Sequence, residues 1–132
     1  MKAFEFQIDK DQRLLTVVLR GFWDIPTYFA YDLQVTEHLK ALNRLPPPRS
    51  CLVDAREFLV QPQDVADGMS HGLAQRLPLY PPRTARVVGS AICRSQAVRM
   101  TSMTEHGVFT AIEPAMAWLS EDSADMHDSA AR

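Results

Sequence analysis

Charged groups that could do chemistry follow a short apolar run within residues 50–64, SCLVDAREFLVQPQD. Residues 51–53 are continuously apolar, which is typical of a central strand covered on both faces. Asp54, Arg56 and Glu57 come next, and ligands of open α/β sheets bind outside the carboxyl ends of the strands. Asp54 and Arg56 are therefore candidate binding residues. The alternative, which we favour, is that they simply pair or cap near a loop, because structural ion pairs are common.

The loop after this predicted strand is a second candidate site. Phe58 opens a short apolar stretch, and Pro62 suits the first turn of a helix. Gln63 would then place a polar side chain near the positive end of that helix. We predict that Phe58, Gln61 and Gln63 bind a partner or ligand where the loop enters the helix.

Basic residues gather around the fourth predicted strand and the helix after it: Arg83, Arg86, Arg94 and Arg99. With the helix N-terminus near Ser90, Arg94 and Arg99 could bind a phosphate or an anionic head group. The alternative is a solvated basic face balanced by nearby acids, and we favour this second interpretation.

A surplus of aromatic side chains indicates a third kind of site. Phe22 and Trp23 could line a pocket with Phe58 and Tyr80, since ligand pockets are mainly apolar with a few polar groups. The same residues could instead belong to the core, which we favour for Phe22 and Tyr28. An apolar surface that joins two copies in a homodimer is a further alternative, because large apolar patches are usually covered.

Recognisable catalytic motifs are absent from the sequence: none of the patterns GxGxxG, GxxxxGK[ST], GxSxG or HExxH occurs. The histidines lie on separate predicted elements without metal-ligand spacing, and each is interpreted as a surface residue: His38, His71, His106 and His127. Cys51 and Cys93 are predicted to be inert buried thiols, although the adjacent Arg94 leaves a redox role for Cys93 open. We expect no enzyme, no cofactor and no metal.

Composition bounds the class of protein. The 132 residues suit one domain with a single core. A formal net charge of -2 gives no support to nucleic-acid binding, and no stretch approaches the roughly 20 apolar residues of a membrane span. No signal-peptide core or disulfide framework is present, so we expect a cytoplasmic protein. Residues 121–132 carry four acids and one base and are predicted to form a disordered acidic tail after a domain at residues 1–120.

Two strands and a helix are predicted first. Residues 4–9 alternate between apolar and polar, and residues 14–19 are rich in β-formers, which predicts an antiparallel hairpin. Asp24 is a good N-cap for a helix that must end before the prolines at 46–48. Its apolar stripe consists of Tyr28, Tyr31, Val35, Leu39 and Leu42. Phe29 and Leu33 are predicted to widen this stripe.

A second amphipathic helix is predicted after Pro62. Its apolar residues, spaced four apart, are Val65, Met69, Leu73 and Leu77. Gly68 and Gly72 lie on a neighbouring row and weaken the helix. Either they permit close backbone packing or they mark a helix that partly opens.

The remaining chain continues the alternation of strands and helices. Strands are predicted at 85–89 and 106–112, and helices at 91–103 and from Pro114. Such alternation implies right-handed crossovers and a largely parallel sheet. The expected fold is α/β, with a mostly parallel sheet of about five strands, an antiparallel edge strand and about four flanking helices.

This order of elements, together with several local motifs, resembles the STAS domain group, the SpoIIAA-like fold of anti-sigma-factor antagonists, and especially its small bacterial SpoIIAA-like proteins. The motifs are residues 19–24 (LRGFWD), 52–56 (LVDAR), 108–110 (VFT) and 117–119 (AWL). The resemblance covers about residues 3–120. It implies a non-enzymatic regulatory or scaffold module that binds protein partners.

In the antagonists, a serine or threonine in the loop before the second helix accepts phosphate from a partner kinase. The corresponding residues 58–64 (FLVQPQD) contain no hydroxyl group, so the phosphorylation switch is not carried over, and Ser70 is a poor substitute. Related folds include lipid-binding domains of the CRAL-TRIO kind. A carrier or sensor of a small apolar or anionic ligand is therefore the alternative, with its cavity between Phe58, Tyr80 and the predicted helix at 91–103.

Overall fold

The computed structural model describes residues 2–89 and 106–120. Its elements in chain order are β1 (Phe4–Asp9), β2 (Leu14–Gly21), α1 (Ile25–Asn43), β3 (Ser50–Phe58), α2 (Gln63–Arg76), β4 (Arg83–Val88), β5 (Gly107–Phe109) and α3 (Ile112–Ser120). A short 3-10 turn at Leu77–Leu79 links α2 to β4.

The five strands lie side by side in chain order. β1 pairs with β2 in the antiparallel sense, and every other neighbouring pair is parallel. The predicted α/β sheet with an antiparallel edge strand is thereby confirmed. The described residues contain three α-helices instead of about four. The remaining predicted helix at 91–103 and the tail at 121–132 lie outside the described residues, as do Cys93, Arg94 and Arg99.

Two strand bounds differ from the sequence prediction. β4 begins at Arg83, which pairs with Ser50 of β3, whereas the apolar run that suggested this strand starts at Ala85. β5 covers only Gly107–Phe109, because the chain turns after Phe109 and α3 already begins at Ile112.

A tight turn closes the hairpin of β1 and β2. The Asp9 Oδ1 atom accepts hydrogen bonds from the backbone N–H groups of Asp11 and Gln12, each at 3.0 Å. Short acidic side chains favour such turns because they mimic a backbone acceptor. Arg13 then takes a left-handed backbone conformation with φ of 53°, and β2 follows. The predicted hairpin is confirmed.

Helix α1 begins as the sequence predicts. The Asp24 Oδ1 atom accepts a hydrogen bond of 2.9 Å from the Thr27 N–H, which satisfies a free donor of the first turn. The predicted apolar stripe is buried: Tyr28, Tyr31, Val35, Leu39 and Leu42. The predicted widening of this stripe is wrong, because Phe29 and Leu33 are 60% and 72% exposed.

Two glycines let α2 approach α1 closely. A Cβ atom at Gly68 would lie 3.1 Å from Tyr28 Cε2, and one at Gly72 would lie 2.5 Å from the Tyr28 hydroxyl oxygen. The Tyr28 hydroxyl donates a hydrogen bond of 2.7 Å to the Gly68 carbonyl. These contacts confirm close backbone packing and not a helix that opens.

Both faces of the central strands are covered. Cys51 and Val53 of β3 pack in the core beneath α1 and α2, whereas Leu52 packs on the opposite face with Ala115 and Leu119 of α3. Successive side chains of a strand point to opposite faces, so a strand buried on both sides needs a continuous apolar run. The prediction for residues 51–53 is confirmed.

Candidate functional site

A buried glutamine joins the loops that follow β2 and β3. Gln61 is only 8% exposed. Its Oε1 atom accepts a hydrogen bond of 2.7 Å from the Trp23 N–H, and its Nε2 atom donates to the carbonyls of Gly21 at 2.9 Å and Leu59 at 2.6 Å. Buried amide groups need such partners. Gln61, a predicted binding residue, therefore fixes the two loops to each other, and its amide is buried.

Among the described residues, Phe22, Trp23, Phe58 and Tyr80 do not line the common pocket that the sequence suggested. Trp23 is 2% exposed, its indole N–H donates to the Arg20 carbonyl at 2.8 Å, and its ring meets Phe58 edge-on at 4.8 Å. Trp23 is thus a core residue beneath the loops. Tyr80 precedes the amino end of β4, whereas Phe58 ends β3, and the two strands are parallel. Tyr80 and Phe58 therefore lie towards opposite ends of the sheet.

Large apolar side chains project from the two joined loops. Phe22 is 65% exposed, Leu59 57% and Val60 48%. The Leu59 N–H also donates a hydrogen bond of 3.1 Å to the Gly21 carbonyl, so the backbone that carries these side chains is held in place. The core interpretation of Phe22 is wrong, because its neighbour Trp23 takes the buried position. We call Phe22, Leu59 and Val60 the loop patch.

Asp54 and Arg56 pair with each other at the end of β3. Arg56 Nε lies 2.9 Å from Asp54 Oδ1, and Arg56 Nη2 lies 3.0 Å from Asp54 Oδ2. Partial burial raises the pKa of Asp54, but the hydrogen bonds from Arg56 outweigh it and hold the pKa below its usual value. The favoured ion-pair interpretation is confirmed, and neither charge points free towards a ligand.

Exposed acids flank the two loops: Asp24, Glu57, Asp64 and Asp67. Glu57 Oε2 lies 3.6 Å from Arg20 Nε, and its side chain stays 62% exposed. Gln63, a predicted binding residue, is exposed on the first turn of α2 and donates a hydrogen bond of 2.7 Å to Asp67. Because Arg20 and Arg56 are already paired with carboxylates, the charges that the described residues place around the loop patch are predominantly acidic.

A second group of charged residues, which we call the arginine group, consists of Arg76 of α2 and Arg86 of β4. The sequence interpretation placed Arg86 in a basic face and missed Arg76. Arg76 is 6% exposed, its Nη1 atom pairs with Asp32, and its guanidinium lies 5.8 Å from the centre of the Tyr31 ring. The Arg86 guanidinium lies 5.6 Å from the centre of the Tyr80 ring. The Nε atoms of Arg76 and Arg86 are buried and have no hydrogen-bond acceptor among the described residues. Arg83 is not part of this group, because it lies over Trp118 at 4.4 Å.

Thiols and imidazoles of the described chain show no reactive pairing. Burial raises the pKa of Cys51 to about 12, and the predicted burial of this thiol is confirmed. His71 is exposed as predicted, but His106 is partly buried against Tyr80, and burial followed by the charge of Arg86 lowers its pKa to about 4. His38 stacks on Phe6 with ring centres 4.3 Å apart. His127 lies outside the described residues, and within them no group of three potential ligands could hold a metal ion.

Comparison with protein-family models and with curated proteins gives no match for this chain. Over the described residues, no helix is both long and apolar enough to cross a membrane. Two features of the described residues remain as candidate sites, the exposed loop patch and the buried arginine group.

Proposed function

We propose that this protein is a non-enzymatic, STAS-like docking module that binds a protein partner through the loop patch. One observation carries the proposal: Phe22, Leu59 and Val60 stay exposed while the backbone around them is fixed by Gln61 and by the Leu59–Gly21 hydrogen bond. Burying one such side chain contributes about 1.5–3 kcal/mol. A rigid loop also loses little conformational entropy when it binds, so more of that free energy reaches the complex.

The charges around the loop patch define the chemistry of the partner. Asp24, Glu57 and Asp64 are exposed acids on the same loops and at the start of α2. Complementary potentials favour encounter with a surface of opposite sign. The partner surface is therefore an apolar contact region bordered by lysine or arginine.

The STAS-like part of the proposal is supported by the strand order and by the position of the patch. The sheet begins with an antiparallel edge strand and continues with parallel strands in chain order. The patch includes the loop between β3 and α2, where the resemblance implies partner docking. Since residues 58–64 have no hydroxyl group, binding through this loop is not switched by phosphorylation there.

A capture experiment with matched variants tests the docking proposal. Phe22→Asp and Val60→Asp put a charge into the loop patch, and Leu33→Asp makes the same change at an apolar residue of α1 that is 72% exposed. From a lysate of the native host, the unchanged protein and Leu33→Asp should retain a common partner that both patch variants lose. Equal capture by all four proteins would contradict the proposal, provided that their thermal unfolding midpoints agree.

A second candidate function is the binding of a small anionic ligand, and the arginine group favours it. Arg76 and Arg86 bring two guanidinium groups near Tyr31 and Tyr80, while Asp32 supplies one carboxylate. A ligand anion would offset the positive charge that Asp32 leaves unbalanced, and it would accept hydrogen bonds from the buried Nε–H groups of Arg76 and Arg86. Inorganic pyrophosphate should then raise the thermal midpoint of the unchanged protein and of Arg83→Met, but not of Arg86→Met. Equal shifts in all three would exclude this site.

A further inference from the structure

Among the described residues, the outer edge of β1 is an open side of the sheet. Within residues 2–89 and 106–120, β1 pairs with β2 only. A groove of about 520 Å³ runs beside this edge, between Phe4 and Phe6 of β1 and Gln34 and His38 of α1. An uncovered edge strand is a template for another strand.

The register of β1 and β2 shows which backbone groups point outward. The Arg20 N–H donates a hydrogen bond of 2.8 Å to the Ala3 carbonyl, and the pairing continues from there without a shift. In an antiparallel pair, hydrogen-bonded and non-hydrogen-bonded positions alternate. Ala3 and the odd-numbered residues of β1 therefore bond to β2. The N–H and C=O groups of Phe4, Phe6 and Ile8 point to the open edge.

We propose that this edge pairs with the same edge of a second copy, forming a two-fold homodimer with one continuous sheet. Outward hydrogen bonds require that even-numbered residues lie opposite even-numbered residues. The register with Phe6 opposite Phe6 places Phe4 opposite Ile8 and gives three such apolar pairs. Glu5 then lies opposite Gln7 of the other copy.

The two adjacent registers are disfavoured by charge. Sliding one strand by two residues along the other keeps even-numbered residues opposite even-numbered ones. In one direction this slide places Glu5 opposite Glu5 of the second copy, and in the other direction it places Glu5 opposite Asp9. Like charges directly across a strand pair are destabilising. Within Phe4–Asp9, the Phe6-centred register is thus the one of the three that joins apolar residues without opposing acids. Beyond the strand it places Lys2 opposite Lys10 of the second copy, so the remaining like-charge contacts lie at the exposed ends. The self-complementary row of apolar residues is why a second copy fits this edge.

The groove gives the paired strand apolar contacts as well as hydrogen bonds. Phe4 and Phe6 are half-buried, and their ring centres lie 5.6 Å apart. His38 already stacks on Phe6. The side chains at even positions of the second β1 strand would enter the groove on this face and cover the exposed parts of these rings. The dimer would carry two loop patches, so it would be a bivalent form of the docking module.

Opposite charge changes at one exposed residue test the dimer and its register. Gln7 faces away from the groove and lies opposite Glu5 of the second copy, and the two-fold symmetry repeats this contact. Gln7→Lys therefore adds two attractive charge pairs, and Gln7→Glu adds two repulsive ones. We expect the dimer dissociation constant to fall with lysine and to rise with glutamate, each by roughly 2- to 30-fold relative to the unchanged protein. Analytical ultracentrifugation over a concentration series at low salt measures these constants.

Matched controls come from Gln12, which is exposed in the turn outside the proposed pairing. Gln12→Lys and Gln12→Glu make the same changes of net charge and should leave the dissociation constant unchanged. A protein that remains monomeric at millimolar concentration would overturn the proposal. So would a dimer that responds equally to changes at positions 7 and 12. Neither result depends on capture of a partner by the loop patch, so the two proposals fail separately.

Discussion

The Oε1 atom of Gln61 accepts a hydrogen bond from the Trp23 N–H at 2.7 Å, although 38 residues separate them in the chain. This bond connects the loop after β2 to the loop after β3. The same amide also satisfies two carbonyl groups, so one buried side chain organises the backbone that carries the loop patch. The joined loops thus bury the Gln61 amide between them and leave the side chains of the loop patch exposed.

Replacing Gln61 with leucine should destabilise the fold by about 2–4 kcal/mol, because it removes the acceptor of the buried Trp23 N–H and the Gln61 donor of the Leu59 carbonyl, while the Gly21 carbonyl keeps the Leu59 N–H. Gln63→Leu is the matched control, since Gln63 is exposed two positions further along the chain and its loss should change stability by no more than about 0.5 kcal/mol. Urea unfolding of the three proteins measures the difference. Equal stability of both variants would mean that Gln61 does not hold the loops together.

The elements that local patterns define could be predicted from the sequence. The continuous apolar run at residues 51–53 predicted a doubly covered strand, and Asp24 predicted the start of α1. Both signals arise from residues next to one another in the chain. The pairing of Asp54 with Arg56 is local in the same way, since two residues separate them along β3.

The site depends on contacts between distant segments, which local patterns do not contain. Phe22 and Trp23 are adjacent aromatic residues, and the one that is buried packs against rings distant in the chain, those of Tyr31 and Phe58. Arg76 did leave a signal, because it lies seven residues after Met69 on the buried stripe of α2. An arginine in the last turn of a helix is usually solvated, so its burial required the packed neighbour Tyr31.

Gly72→Ala should destabilise the protein by about 1–3 kcal/mol, despite the better helix propensity of alanine. Its Cβ would lie 2.5 Å from the Tyr28 hydroxyl and 2.9 Å from Arg76 Nη1, and both groups are held by hydrogen bonds. Gly68→Ala is the matched comparison, because its nearest contact is 3.1 Å from the Tyr28 ring. Thermal unfolding should rank Gly72→Ala as the less stable variant. The reverse order would show that α1 and α2 can separate without cost.

The ion pair of Arg76 and Asp32 should respond unequally to loss of either partner. Asp32→Ala leaves a buried guanidinium without its carboxylate and should lower the free energy of unfolding by about 1–3 kcal/mol. This is less than for a fully buried pair, because the Asp32 side chain is 40% exposed. Arg76→Met keeps the buried volume, removes the unsatisfied Nε and leaves Asp32 in contact with water, so it should cost less than about 1 kcal/mol. Guanidinium unfolding compares the two. A larger cost for Arg76→Met would mean that the arginine contributes net stability.

The stability of the protein should fall as the pH drops from about 6.5 towards about 4, because the folded pKa of His106 lies near 4. Burial, followed by the charge of Arg86, disfavours the protonated imidazole in the folded state. In this window the unfolded chain binds a proton that the folded chain excludes, so acid favours unfolding by about 1–2 kcal/mol after allowance for solvent screening.

His106→Gln should remove this part of the pH dependence, and His71→Gln, which changes an exposed histidine of α2, is the control. Urea unfolding at pH 7 and about pH 4.5 provides the measurement. If His106→Gln loses as much stability between these two pH values as the unchanged protein, His106 is not the group that responds.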